Sequence, residues 1–323
     1  MEFRNILAAG AVASIAGLGL AQPASAGLTT FESFTGNVGV STDGFGSTSN
    51  AGVVTINAPT GSTVLGAYMY TSVYFQSDLT GIGGAINGNA VAYTDLGSVS
   101  GFLVGGRADV TTYVKSVIDG SASSVFNFNL TETSGAQNGT GLVVVFSNPT
   151  LGVASVGILD GGQALAGDTT SINFVTPLDP TDPGFFAEMR LGIGHSCCSQ
   201  ASQVKVNGTV ITDNAGNFDD GDGAFDGALF TLGGDNDPFS APLPTYANDH
   251  ERYDLAPYIT AGDTQIVVDT VNPSNDDHVF LAVFYVTGEA KFNEDPTGVP
   301  EPATLALLGM GLLGLAAARR RKA

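Results

Sequence analysis

Clustered carboxylates in the second half of the chain are the residues whose spacing most strongly suggests chemistry. The segment from residue 217 to residue 226 carries four aspartates separated by glycine and other residues. Ca²⁺ takes several oxygen ligands from a backbone that can curl around it. The spacing departs from the EF-hand pattern, which also needs a glutamate near the end of its loop. The segment is therefore either a solvated acidic loop or a Ca²⁺ site with the ligands Asp219, Asp220, Asp222 and Asp226.

The two cysteines, Cys197 and Cys198, are adjacent and lie close to His195. Neighbouring Cα atoms are about 3.8 Å apart, whereas disulfides usually span about 4.4–6.8 Å, so a bond between them closes a strained ring. A vicinal disulfide, which would present a rigid apolar turn to a small ligand, is the first interpretation. A metal or redox site is an alternative, although zinc normally needs four ligands. Free or intermolecular thiols are the other alternative.

Motifs of well-known enzyme classes are missing from the sequence. It contains three histidines and no G-x-S-x-G elbow, H-E-x-x-H motif or phosphate-binding glycine loop. The paired acids of a glycosidase are set by their distance in space, so the sequence cannot nominate them. We therefore predict a non-catalytic protein, with a polysaccharide hydrolase as the alternative.

The composition indicates which elements must position these residues. Glycine is abundant at 44 residues, tryptophan is absent, and the formal net charge is −20. Short runs of valine, isoleucine, phenylalanine, tyrosine and threonine alternate with glycine, asparagine, aspartate and proline, which is typical of an all-β sandwich or barrel. The negative charge disfavours binding to nucleic acids and to anionic membrane surfaces.

An internal repeat organises the middle of the chain. An alternating strand, an Asn-Gly hairpin, an Arg-x-Asp segment and a continuous apolar strand occur twice in the same order. Asn-Gly is a strong signal for a type I′ turn. We predict that each Asp caps a turn with the Arg as its charge partner, a sugar-binding Arg–Asp pair being the alternative. The tyrosine that ends each segment is predicted to be core. These features are Asn87-Gly88, Arg107 to Asp109, Tyr113 and residues 142–146, then Asn207-Gly208, Arg252 to Asp254, Tyr258 and residues 279–285.

The order of these features resembles jelly-roll sandwiches of the galactose-binding-like type, which are common as carbohydrate-binding modules. The resemblance implies two β-sandwich units, at residues 27–150 and 151–290, the boundary being Pro149 at the end of an apolar strand. One larger sandwich made by both halves is the alternative.

The N-terminus has the features of a secretory signal. Arg4 precedes an apolar stretch from Ile6 to Leu20, and a small-residue cleavage site ends at Ala26. We therefore expect residues 1–26 to form a signal helix that signal peptidase removes.

The C-terminal tail has three consecutive parts. A two-proline segment, Val299-Pro300-Glu301-Pro302, cannot continue a helix or strand. The uncharged run at residues 303–318 is a short candidate for a membrane-spanning helix, which usually needs about 17–25 residues. The basic cluster Arg319, Arg320 and Arg321 would stop transfer on the cytoplasmic side.

This tail resembles the PEP-CTERM sorting signal of Gram-negative bacteria that make extracellular polysaccharide. The resemblance implies a linker at 291–298, a sorting signal at 299–323 and cleavage near Pro300–Pro302 by an exosortase. An inner-membrane intermediate would then give a protein of the cell surface or extracellular matrix. An ordinary C-terminal anchor is the alternative. We expect a biofilm-associated protein for adhesion or glycan binding, and a small-ligand module built on Cys197-Cys198 would be a further class.

Overall fold

The computed structural model describes residues 27–46, 49–99, 101, 103–164, 167–195, 202–213, 220, 229–245, 248–271 and 278–294. Within these ranges the chain is mostly β-strand, which confirms the predicted all-β class. Its strands pair antiparallel in four sheets. No helix in the described ranges is long and apolar enough to cross a membrane. The predicted signal helix and C-terminal hydrophobic helix lie outside those ranges.

The first half of the chain builds two of the four sheets. Inner sheet 1 has the order β2 (Val38–Phe45), β10 (Gln137–Ser147), β4 (Thr63–Tyr74), β8 (Leu103–Asp109), β7 (Thr94–Val99). Outer sheet 1 has the order β3 (Ala51–Asn57), β9 (Val125–Glu132), β5 (Gly84–Ile86), β6 (Asn89–Val91). Apolar side chains from both sheets, with Val114 and Ile118 of helix α1 (Thr111–Ile118), form one core cluster between them.

The second half builds the other two sheets in a similar way. Inner sheet 2 has the order β1 (Thr29–Gly36), β11 (Ala154–Asp160), β19 (His278–Thr287), β13 (Ala187–Gly194), β16 (Phe230–Leu232), and β17 (Arg252–Asp254) also pairs with β13. Outer sheet 2 has the order β15 (Thr209–Asp213), β14 (Gln203–Val206), β18 (Gln265–Val271), β12 (Asp168–Phe174), β20 (Ala290–Phe292). A 3₁₀ turn, Ala256–Tyr258, follows β17, and a second core cluster fills the space between the two sheets.

A third core cluster joins the two inner sheets. Val143 and Val145 of β10 pack in it with Val156 and Val283, while Leu142 and Val144 face the first core. The layers therefore follow one another as outer sheet 1, inner sheet 1, inner sheet 2 and outer sheet 2. This burial on both faces explains why residues 142–146 and 279–285 are continuously apolar.

The repeat seen in the sequence corresponds to a repeated topology. The order β2-β10-β4-β8 matches β11-β19-β13-β17, and β3-β9-β5-β6 matches β12-β18-β14-β15. Asn87 and Asn207 have φ angles of 47° and 49°, and the glycines that follow them also have positive φ, as a type I′ turn requires. Each asparagine side chain accepts a hydrogen bond from the adjacent strand, at Asn129 N and Val267 N respectively, both at 2.9 Å.

Strand β1 departs from the order of the chain. Residues 29–36 fall within the range 27–150, yet β1 pairs with β11 along the edge of inner sheet 2. The Thr30 hydroxyl also donates a hydrogen bond to the carbonyl of Phe292 at 3.0 Å. The unit boundaries at 150 and 290 stay predictions, and the first described strand belongs by its pairing to the second pair of sheets.

Candidate functional site

The repeated Arg-x-Asp segments have one predicted feature and one unexpected feature. Asp109 Oδ1 accepts a hydrogen bond from Thr111 N at 2.9 Å, and Asp254 Oδ1 accepts one from Ala256 N at 3.0 Å, so both aspartates cap a turn as predicted. The predicted charge partners are wrong: Arg107 pairs with Asp160, and Arg252 pairs with Glu188. The side chains of residues i and i+2 on a strand share a face, but Asp160 on the opposite inner sheet holds Arg107, and Glu188 on the neighbouring strand β13 holds Arg252.

The tyrosines that end these segments differ in burial. Tyr258 packs against the second core as a partly buried residue, whereas Tyr113 is 39% exposed. The prediction of core positions is therefore wrong for Tyr113. The reason is that Tyr113 lies in helix α1, which turns only Val114 and Ile118 toward the sheets.

Arg107 and Asp160 line a polar cleft where the two pairs of sheets meet. Tyr70 donates a hydrogen bond to Asp160 Oδ2 at 2.9 Å, and the Arg107 guanidinium lies 3.4 Å from the ring centroid of Phe31. Burial raises the pKa of Asp160 above its usual range, although Arg107 and Tyr70 counteract part of that effect. This junction cleft has a volume of about 420 Å³ and is lined by Gly27, Thr29, Thr30, Phe31, Thr94, Asp95, Leu96, Arg107, Asp160, Gly161 and Gly162.

A second charged group also bridges the inner sheets. Arg190 on β13 pairs with Glu188 and with Asp235 Oδ1 at 2.6 Å, and it donates to the Thr42 hydroxyl of β2 at 2.7 Å. Arg252 Nε lies 3.0 Å from Glu188 Oε1. Burial alone would lower the pKa of Arg190, but the two carboxylates raise it above its usual value. We call this group the buried arginine cluster; it ties inner sheet 1 to inner sheet 2.

The predicted acidic segment is only partly described. Asp219, Asp222 and Asp226 lie outside the described residues, while Asp220 is buried and its Oδ2 accepts a hydrogen bond from Leu232 N at 2.5 Å. Burial and the nearby carboxylates of Asp237 and Asp43 hold the pKa of Asp220 well above its usual range. Among the residues that the structure describes, no group of three or more His, Cys, Asp or Glu is placed to hold a metal ion. The Ca²⁺ site stays a prediction.

Three other predicted sites lie outside the described ranges. Cys197 and Cys198 belong to residues 196–201, so the vicinal disulfide stays a prediction. The sorting residues Val299, Pro300, Glu301 and Pro302 also lie beyond the last described residue, as do the stop-transfer residues Arg319, Arg320 and Arg321. The neighbouring His195 is described, and its ring stacks on Tyr74 with centroids 5.2 Å apart.

A larger pocket lies in the second pair of sheets. It has a volume of about 600 Å³, and the segment that connects β12 to β13 forms most of its wall. The turn after β19 and Val153 complete it. Apolar side chains form part of its lining, and three carboxylates are present among its lining residues. We call it the acidic pocket; its lining is Val153, Phe174, Val175, Thr176, Pro177, Leu178, Asp179, Asp182, Pro183, Gly184, Phe185, Thr287, Gly288 and Glu289.

The sequence did not single out Asp160 or the acidic pocket. Asp160 ends the apolar strand β11, and an acid at the end of a buried strand is a recognisable signal for a buried partner. The acidic pocket depends on how three distant segments meet, which no local pattern reveals.

Comparison with known proteins adds one decisive observation. Residues 298–322 match the PEP-CTERM protein-sorting motif. The chain carries an exosortase sorting signal. The PEP-CTERM signal makes it a secreted protein that passes through a membrane-anchored intermediate and is processed by an exosortase.

The other comparisons contribute little. No curated protein matches the chain. Among solved structures, a β-porphyranase of glycoside hydrolase family 86 from the human gut bacterium Bacteroides plebeius is similar at 10% identity and a TM-score of 0.17. The match covers 85% of this chain and 38% of that enzyme. A TM-score this low carries no argument about fold or activity.

Proposed function

We propose that this PEP-CTERM protein is a non-catalytic component of the cell surface or the extracellular matrix, where it binds polysaccharide and contributes to adhesion. Signal peptidase would remove residues 1–26, and the exosortase would release the body near Pro300–Pro302. The matrix polysaccharide is the proposed partner, since the sorting signal directs the protein to the compartment in which such polymers accumulate.

The junction cleft is the observation that carries the binding proposal. Sugars are recognised by planar donors, carboxylate acceptors and aromatic faces, and Arg107, Asp160 and Phe31 supply one of each. Thr29, Thr30 and Asp95 also line the cleft. Because Arg107 is already held by Asp160 and stacked near Phe31, a ligand would meet a group that needs little reorganisation.

The hydrogen bonds that Asp160 accepts in the cleft favour binding over hydrolysis. A glycosidase needs one carboxylic acid to donate a proton and a second carboxylate to act as base or nucleophile. Asp160 accepts hydrogen bonds from Tyr70 and Arg107, which supports a structural role rather than proton transfer. A hydrolase acting on the same matrix polysaccharide is the second candidate.

We further propose that Ca²⁺ stiffens the segment containing Asp219, Asp220, Asp222 and Asp226. The buried Asp220 lies near two more carboxylates, Asp43 and Asp237, and like charges in a buried site are relieved either by protons or by a cation. Ca²⁺ accepts ligands from such a mixture of carboxylates and backbone carbonyls.

Affinity electrophoresis tests the binding proposal. The full chain, held in nanodiscs of a zwitterionic lipid, is run through gels containing dextran, xylan or galactan. We expect retardation in at least one gel, and weaker retardation for Asp95→Asn. Asp78→Asn is the matched control, because both aspartates accept a hydrogen bond from the backbone N–H two residues later, at 2.7 and 2.8 Å, and Asp78 lies outside the cleft.

Two results would count against this function. Mobility that no polysaccharide changes would contradict polysaccharide binding. Release of reducing ends from a retarding polysaccharide would instead support the hydrolase.

A further inference from the structure

The acidic pocket is a preformed concavity of the second pair of sheets. At about 600 Å³ it falls within the range typical of small-ligand sites, about 300–1,000 Å³. Part of its lining is apolar: Phe174 and Leu178 are buried, while Val153 and Val175 are 48% and 59% exposed. Exposed valines beside buried aromatic and aliphatic side chains offer apolar surface that a ligand would cover.

Hydrogen bonds fix the walls of this pocket from several sides. Leu178 N donates to the Asp263 carbonyl at 2.7 Å, and Gly262 N donates to the Leu178 carbonyl at 2.8 Å. On the opposite wall, Phe186 N donates to the Thr287 hydroxyl at 2.8 Å. Gly288 N donates to the Val153 carbonyl at 3.0 Å, which joins the third segment. A ligand would therefore not have to order the walls, which reduces the entropic cost of binding.

The charged residues that line the pocket have one sign. Asp179, Asp182 and Glu289 line it, and no lysine, arginine or histidine does among the residues that the structure describes. Asp179 stays ionised, because hydrogen bonds from the hydroxyl and backbone N–H of Thr181 lower its pKa. An anionic ligand would be repelled and a neutral hydrocarbon would gain nothing from the carboxylates. The complementary ligand carries an ammonium group together with an apolar face.

We propose that the acidic pocket binds amino-sugar residues with a free amine in the matrix polysaccharide. A de-N-acetylated amino sugar carries an ammonium group and presents C–H bonds on the faces of its ring. The partly buried aromatic side chain of Phe185 suits both, since ring faces attract C–H groups and cations. The net charge of −20 would also attract a cationic polymer at long range. This inference rests on the proposed polysaccharide-binding function and assigns its chemistry to one site.

The first pair of sheets serves as an internal comparison. The connection between β3 and β4 covers residues 58–62, whereas its counterpart between β12 and β13 covers residues 175–186. In the first pair, the Asn148 side chain donates to the carbonyls of Pro59 and Thr60 at 3.3 and 3.2 Å and to the Ser62 hydroxyl at 3.1 Å. Hydrogen bonds from Asn148 thus hold the short connection in place, whereas the longer connection forms the wall of a pocket.

Isothermal titration calorimetry at pH 6 tests this assignment. The probes are a β-1,4-linked glucosamine tetramer and its fully N-acetylated counterpart, added to the full chain in nanodiscs. Amines of this type, like α-amino groups with a pKa of about 7.7–8.0, are charged at that pH. We expect the glucosamine tetramer to bind and its affinity to fall about three- to tenfold in Asp182→Asn/Glu289→Gln, because two exposed ion pairs are lost.

The double variant Asp78→Asn/Asp213→Asn removes the same charge outside both the acidic pocket and the junction cleft, and it is expected to bind like the unmodified chain. Equal binding by the two tetramers, or equal weakening by both double variants, would overturn the assignment, since the second result is that of non-specific attraction. Absence of glucosamine binding would also overturn it. The proposed function has a separate test: it fails when the neutral polysaccharides in the affinity gels do not retard the chain.

Discussion

Removal of the Arg190 guanidinium is the most informative test of how the two halves are held together. Its side chain is 3% exposed and contacts Glu188, Asp235 and Thr42, so it connects β13 of inner sheet 2 with β2 of inner sheet 1. In Arg190→Met the hydrocarbon part of the side chain is largely kept while the charge is lost. The variant therefore isolates the ionic contribution from the packing contribution.

The structure sets the size of the expected effect. Removing one partner of a buried ion pair costs about 3–5 kcal/mol, because the other charge stays buried without compensation. Glu188 keeps Arg252 at 3.0 Å, and Asp235 keeps the Ser41 hydroxyl at 2.5 Å. We therefore expect the lower limit, a loss of about 3 kcal/mol in the free energy of unfolding. With a urea slope of about 3 kcal/mol per M, the midpoint would fall by about 1 M.

Urea unfolding followed by circular dichroism measures this loss. Lys115→Met is the control, since the pair of Lys115 and Asp119 is 45% and 30% exposed and should cost less than about 1 kcal/mol. Arg190→Met/Asp235→Asn should recover part of the stability, because one uncompensated charge disappears. A loss in Arg190→Met no larger than that of the control would refute the argument from buried charge.

Three further predictions concern pH, packing and calcium. Burial raises the pKa of Glu132 from 4.5 to about 7. Its contribution to the free energy of unfolding is therefore present below pH 4.5 and lost as the pH rises to 7. In urea titrations, Glu132→Gln should add about 2–3 kcal/mol at pH 8 and little at pH 4.5. A Cβ at Gly194 would overlap the Ser72 side chain, so Gly194→Ala should cost about 1–3 kcal/mol by thermal unfolding, and adding Ser72→Gly should reverse the loss. Calorimetric unfolding should show a higher midpoint temperature with Ca²⁺ than with chelator, because a ligand that binds only the folded state stabilises it. In Asp220→Asn/Asp222→Asn the two midpoints should be equal. A midpoint that Ca²⁺ leaves unchanged in the unmodified chain would contradict the calcium proposal.

The features that the sequence predicted are those with local causes. Asn-Gly requires positive φ at both residues, and the hairpins at Asn87 and Asn207 have it. Alternating and continuous apolar runs identified strands with one or two buried faces, as at residues 142–146. Turn capping by Asp109 and Asp254 likewise depends on N–H groups only two residues away. Short-range geometry makes such features readable from one sequence.

The features that the sequence did not predict depend on contacts between distant segments. Arg107 is separated from Asp160 by 53 positions, and nothing in its own strand distinguishes Asp160 from Asp109 as its partner. The pairing of β1 with inner sheet 2 also depends on distant contacts, since an edge strand can pair with either inner sheet. The choice is made by side chains across the interface, where Arg107 packs over Phe31 and Tyr68 donates to Glu32.

The duplication itself indicates where the two halves differ in function. Both keep the same strand order and the same asparagine contacts, so the framework is common to the two halves. They differ in the connections, where binding residues of β-sandwiches are commonly carried. The connection at residues 175–186 forms a pocket with one sign of charge, whereas residues 58–62 are fastened by Asn148. If polysaccharide binding were a property of the sandwich as such, both halves would be expected to bind. Because the pocket belongs to the second pair of sheets, binding that survives loss of its carboxylates would point back to the junction cleft, which both halves share.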